Sequence, residues 1–185
     1  MALINDLFGD IIGCYDIYQK EIFNKKVIRN DNEISWDKRE AFQVFDNYSQ
    51  FYKWVIENRQ YSFQSKDDSF FQVYYSVMKN KLVNASLTYI PNPDKDQLGG
   101  SYIRFDCNLS SHIDYLHTAY HIHFGYNSQS RICLYRFPFF SEFICFIKHT
   151  IYQADLEHLP RQRKKGVLNL DELKFKYFHH FRIIK

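Results

Sequence analysis

Ser69-Phe70-Phe71-Gln72-Val73-Tyr74-Tyr75-Ser76-Val77-Met78, Lys79-Asn80-Lys81 and Leu82-Val83-Asn84-Ala85-Ser86-Leu87-Thr88-Tyr89-Ile90 read as two strands joined by a polar turn. Phe71, Val73, Tyr75 and Val77 recur at every second residue, as do Val83, Ala85, Leu87 and Tyr89. That period puts each set on one covered face of a sheet. Upstream, residues 61–65 continue the pattern across a Lys66-Asp67-Asp68 turn. Downstream, Pro91-Asn92-Pro93 through Gly99-Gly100 forms a surface loop, since proline cannot donate to a ladder and glycine releases φ. Residues 102–108, 119–125 and 131–137 then supply three more strands. Connections this short cannot cross between parallel neighbours, so about six strands form an antiparallel sheet.

Helices flank the sheet in this reading. Leu3, Leu7, Ile11, Tyr15, Tyr18 and Ile22 fall at spacings of three and four, which predicts a helix over residues 3–23 with one buried stripe. After a polar stretch at 29–33, Ala41, Phe45, Tyr48, Tyr52 and Val55 predict a second helix over 37–58, capped by Ser35 or Asp37. Pro138 closes the last strand and opens a third helix that buries Phe140, Phe143, Ile144, Ile147 and Ile151. The fold class is therefore α+β: one domain spanning residues 1–185, with a helical part at 1–58, a sheet at 61–137, a helix at 138–156 and a basic segment at 158–185.

Composition agrees with a full core. Phe, Tyr and Trp make up 19 % of the chain against 6 glycines and 4 prolines, which excludes disorder, collagen-like repeats and a loop-dominated scaffold. Cys14, Cys107, Cys133 and Cys145 lie far apart in apolar surroundings, as buried thiols of a reducing cytoplasm would. The N-terminal stretch with Asp6 and Asp10 is unlike a secretory signal, and Arg136, Glu142 and Lys148 interrupt the most apolar window, so a membrane partner is not expected. The net charge of +3 divides unevenly. Arg161, Arg163, Lys164, Lys165, Lys174, Lys176, Arg182 and Lys185 face only Asp171 and Glu172, leaving the preceding residues net acidic.

Chemistry concentrates at Tyr120-His121-Ile122-His123-Phe124-Gly125. On a strand Tyr120, Ile122 and Phe124 share the core face, so His121 and His123 stand side by side on the other. In Tyr102-Ile103-Arg104-Phe105-Asp106 the same alternation puts Arg104 and Asp106 on that polar side, and a short hairpin brings Arg131 towards the imidazoles. One reading is metal-free: a histidine with an ordinary pKa of about 6.5 moves protons, Asp106 orients it, and Arg104 or Arg131 stabilises charge on a phosphoryl or carboxyl group. In another, His121, His123 and Asp106 or His117 hold a divalent transition metal with a position open for water. A third gives the histidines only a structural role on a half-exposed sheet. A cupin-type metal site is disfavoured, because Asn127, Gln129 and Arg131 stand where its further ligands belong. Tyr120, Tyr126 and Tyr135 lie near this region in sequence, and Tyr126 is a candidate for stacking on a base. Arg161, Arg163, Lys164 and Lys165 are candidates for phosphate contacts.

The run of Ser62-Phe63, Ser69-Phe70-Phe71-Gln72, Tyr102-Ile103-Arg104-Phe105-Asp106, His117, His121-Ile122-His123-Phe124-Gly125, Arg131-Ile132 and Pro138 resembles an uncharacterised prokaryotic domain-of-unknown-function family over residues 61–152. Thr118 stands where that family usually has proline, and Asp68 where it has a turn glycine. No activity travels with the resemblance; it implies a bacterial or archaeal setting. By analogy with small proteins of such settings, the expected function is a nucleic-acid-directed phosphodiesterase, a metal-independent RNase-like toxin or effector of a toxin–antitoxin or phage-defence locus. The expected partner is RNA rather than DNA, without a cofactor, in the cytoplasm. The alternative is a non-catalytic subunit of such a complex that binds nucleic acid or a protein from a neighbouring gene.

Overall fold

The computed structural model describes residues 2–37, 39–41, 43–109, 119–127 and 131–152. Helix α1, Ala2–Tyr18, buries Ile4, Leu7, Ile11, Cys14 and Tyr18, the expected stripe. It ends earlier than its period suggests. Glu21 N–H donates to the Tyr18 carbonyl, and Ile22, buried as anticipated, sits on a short strand β1, Ile22–Phe23. The spacing that fits a helix is here satisfied by a turn that returns Ile22 to the same core.

Residues 27–36 fold as a hairpin rather than a linker. Strand β2, Val27–Arg29, pairs with β3, Glu33–Trp36, around Asn30, whose side-chain oxygen accepts from the N–H groups of Asn32 and Glu33. The polar stretch at 29–33 thus supplies an Asx turn. Two helices were expected to precede any sheet, yet three strands intervene. Helix α2, Tyr48–Glu57, starts only at the N-cap Asn47, whose side chain accepts from Gln50 N–H. The preceding segment is held elsewhere: fully buried Gln60 accepts from Trp36 Nε1 at 3.0 Å and from Glu40 N–H at 2.9 Å. Ala41 is exposed, and Phe45 reaches α2 from outside it, against Phe51 and Trp54.

The meander itself follows the alternation except beside the Lys79-Asn80 turn, where a bulge shifts the register at Ser76/Val77 and Leu82, rather than Val83, packs on the core. Strands β4 (Phe63–Ser65), β5 (Phe70–Met78), β6 (Lys81–Ile90), β7 (Ile103–Asn108), β8 (Tyr120–Phe124) and β9 (Arg131–Cys133) are joined in the order β1-β4-β5-β6-β7-β8-β9, and β3 also pairs with β5. Every pairing is antiparallel. Among the described residues the sheet thus has nine strands rather than about six. The short strands β3 and β4 share one edge of β5, β4 at Phe70 and Phe71 and β3 at Tyr75 and Ser76. Lys79 and Asn80 link β5 to β6 with φ of 50° and 61°, the left-handed pair that a two-residue hairpin demands.

One face of the sheet carries Phe71, Val73, Tyr75, Leu87, Tyr89, Ile103, Phe105 and Ile122 into a core closed by α1 and by α3, Phe140–Thr150. Phe105 and Phe143 meet edge-to-face at 5.3 Å, and Phe63 stacks between Tyr15 and Phe140. At the start of α3, Glu142 accepts from Phe139 N–H and from Arg136, while the Asp10 carboxylate of α1 accepts from Ser141 N–H and its hydroxyl. Burial raises the Asp10 carboxyl above its ordinary pKa despite those donors. The four cysteines are free thiols, with Cys14 and Cys107 buried.

Among the described residues, the second face is covered at one end. There Tyr48, Phe51, Tyr52 and Val55 of α2 pack on Phe70, Ile90 and Tyr102, each fully buried side chain contributing about 1.5–3 kcal/mol. This seat needs one glycine. Gly99 has φ +64°, and a Cβ there would lie 2.6 Å from the Tyr48 ring and 2.9 Å from Tyr126 Cβ. Gly99→Ala is expected to cost about 2–3 kcal/mol, read as a shift in the urea midpoint. At Gly100 the nearest atom is 3.7 Å away, so Gly100→Ala stays within about 0.5 kcal/mol.

Candidate functional site

Beyond α2, the second face is a polar surface built by register. Cross-strand partners point to the same side of a sheet. Gln72 faces Thr88, Thr88 faces Arg104, Arg104 faces His123, and His123 faces Arg131. Two residues along, Tyr74 faces Ser86, Ser86 faces Asp106, Asp106 faces His121, and His121 faces Cys133. Five strands therefore each present one residue to two adjoining rows. The apolar partners between them, Phe105, Ile122 and Leu87 among others, go to the core on the other side.

At the meeting of β7 and β8 the rows make a compact cluster. Asp106 Oδ2 accepts from Arg104 Nε at 2.7 Å and lies 3.4 Å from His123 Nε2 and 3.8 Å from His121 Nε2. The two imidazoles stand 4.8 Å apart, nearly perpendicular, and are only 4 % and 6 % exposed for His121 and His123. Burial alone would pull the Arg104 guanidinium down, but Tyr102 and Asp106 beside it raise it above its usual value, so it remains a cation. Burial pushes the Tyr102 phenol up and keeps it neutral.

The cluster forms part of a cleft of about 380 Å³, within the range of small-molecule sites. Arg39, Arg104 and Arg131 outnumber Glu40 and Asp106 among the charged residues that line it, and such a balance attracts anions. Gln72 reaches in from β5 with its amide donating to the Gln60 carbonyl at 2.7 Å. Trp36, Trp54 and Tyr74 add aromatic surface.

His121, His123, Asp106, Arg104 and Arg131 thus come together, as the strand alternation implied. Tyr126 does not join them. It packs beneath α2, stacked on Phe51 at 5.0 Å and against Tyr48 and Tyr102. Tyr120 lies against the core and Tyr135 is 80 % exposed. Gly125 falls just past the end of β8, where its φ of 81° calls for glycine and its N–H donates to the Tyr102 carbonyl at 2.7 Å. His112, His117, Arg161, Arg163, Lys164 and Lys165 lie outside the described residues. The sequence reading missed Trp36, which ends β3 just before the segment taken for helix, Arg39, which sits inside that segment, and Thr88, Tyr74 and Ser86, which only the register connects to the histidines.

The donor set also suits a metal ion. Among the described residues, one ligand atom each from Asp106, His121 and His123 lie within 4.8 Å of one another, the two-histidine, one-carboxylate pattern of sites with open coordination positions. No helix among the described residues is long and apolar enough to cross a membrane. No curated protein and no solved structure matches the chain. The matched family segment begins upstream of the stretch whose motifs suggested it and shares residues 61–100 with that stretch. Residues 17–100 match the model of a family described as an uncharacterized conserved protein (DUF2290).

Proposed function

We propose that the protein is a phosphodiesterase that cleaves RNA without a metal. The observation that carries this reading is the Asp106 carboxylate, anchored by Arg104 and within 3.8 Å of both imidazoles in an arginine-rich cleft. One histidine removes the proton of a ribose 2′-hydroxyl, which attacks the adjacent phosphorus. The other protonates the departing 5′-oxygen. Asp106 orients the pair, and Arg104 and Arg131 bind the phosphate and stabilise the charge that develops on its oxygens. The products are a 2′,3′-cyclic phosphate and a 5′-hydroxyl. A prokaryotic toxin–antitoxin or phage-defence role in the cytoplasm, with phosphate contacts from Arg161, Arg163, Lys164 and Lys165, belongs to the same proposal.

The test is a single-stranded RNA oligonucleotide incubated with the purified protein in a chelator, beside the same strand with 2′-deoxyribose throughout. Cleavage of the first alone, ending in cyclic phosphate, is expected. Equal cleavage of both strands overturns the mechanism. Binding of RNA with no cleavage favours the non-catalytic subunit.

The triad of ligand atoms supports a second reading, a metal-dependent hydrolase in which His121, His123 and Asp106 hold the ion and a bound water is activated. Stoichiometric metal on the purified protein, with activity lost to chelation and restored by the ion, would establish it over the first. The positive charge that Arg104 sets 2.7 Å from Asp106 favours the metal-free reading, because a dication would have to enter against it.

A further inference from the structure

The cleft contains more than the proposed chemistry uses. Arg39 lies 3.6 Å from the centre of the Tyr74 ring and 5.6 Å from that of Trp36, a planar cation held over an aromatic surface. Trp54 borders the same space from α2. Trp36 and Trp54 are the only two tryptophans of the chain, and both line this cleft. Tyr74 and Asp106 belong to one cross-strand row with only Ser86 between them, so their strands are about 10 Å apart, the reach of a nucleotide from its phosphate to the far side of its base.

We propose that the cleft holds one unpaired nucleotide of an RNA strand, its base on the shelf of Trp36, Arg39, Tyr74 and Trp54 and its phosphate at Arg104 and Arg131. The phosphate end of this assignment rests on the phosphodiesterase reading; the base end rests on the aromatic and guanidinium planes. Such planes stack any base and are the usual means of holding a single strand. A duplex, with its bases stacked on each other, cannot offer one. The shelf therefore selects single-stranded regions.

Because both tryptophans border the site, their fluorescence reports its occupancy. Adenosine 3′-monophosphate added to the full chain is expected to quench it saturably, with an affinity about tenfold tighter than that of inorganic phosphate, about 1.4 kcal/mol. Arg39→Ala weakens the nucleotide more than it weakens phosphate and so removes that advantage. Trp54→Leu, followed by calorimetry, weakens the nucleotide likewise. An RNA trinucleotide binds at least as tightly as the mononucleotide. Phosphate and nucleotide binding equally to the wild type, or both variants keeping the full advantage, overturns the shelf. A trinucleotide that binds more weakly than the mononucleotide overturns its assignment to a strand. The two proposals fail separately: nucleotide binding without RNA cleavage removes the phosphodiesterase and keeps the shelf, and cleavage without a nucleotide preference does the reverse.

Discussion

On the proposed mechanism, alanine at either His121 or His123 is expected to lower the single-turnover rate of RNA cleavage by about 10²–10⁴-fold, the usual contribution of a positioned acid or base. Both imidazoles are buried beside one carboxylate oxygen, so on that mechanism they are expected to act as a unit rather than as independent groups. The double variant should fall little below the worse single one, because removing either half already stops proton transfer. Arg131→Ala is expected to lose less, since Arg131 is exposed on the edge strand of the described sheet and the proposed mechanism keeps Arg104 on the phosphate. Rates are to be measured with enzyme in excess over a labelled strand, alongside circular dichroism to show that each variant is folded. Two folded histidine variants that cleave at the wild-type rate would remove the histidines from the reaction.

Phe143→Ala has the largest expected effect on stability. The ring is fully buried between the sheet and α3, edge-on to Phe71 at 6.3 Å and to Phe105 at 5.3 Å. Its removal leaves a cavity that α3 cannot close without losing the contacts of Phe140 and Ile147, so the cost is about 3–5 kcal/mol. For a chain of this size the melting temperature drops by about 10 °C. Phe143 lies on the face opposite the cleft, so cleavage per folded molecule is expected to stay at the wild-type value. A variant that melts within a degree or two of the wild type would show that the α3 layer is not tightly packed.

Much of the site could be read from alternation alone. On β8 the order His-Ile-His fixes both imidazoles opposite Ile122, and on β7 Arg104 and Asp106 are fixed opposite Ile103 and Phe105, whatever the strands pair with. The register is a different matter. That Asp106 faces His121 rather than slipping by two residues depends on how the chain between β7 and β8 closes, and no periodicity records that. Thr88, Ser86 and Tyr74 join the site only through this register. The strands between α1 and α2 escaped notice for another reason: at two to four residues each they are too short to show a period. Trp36 and Arg39 went with them, because Phe45, Tyr48 and Tyr52 keep helical spacing across a boundary set by Asn47 and Gln60. Hydrogen bonds to a distant buried amide leave no local mark on the sequence.

The contact between Asp10 and Ser141 joins residues 131 positions apart, and it bears on how the chain is made. On a ribosome adding about 5–20 residues per second, α1 emerges many seconds before the helix it caps. Until then Ile4, Leu7 and Ile11 have no α3 to cover them, and the sheet they pack on is still being assembled strand by strand. The nascent protein therefore spends that interval with an apolar stripe in water, a natural target for a chaperone. Slower translation would lengthen this exposure without changing a single contact of the finished fold.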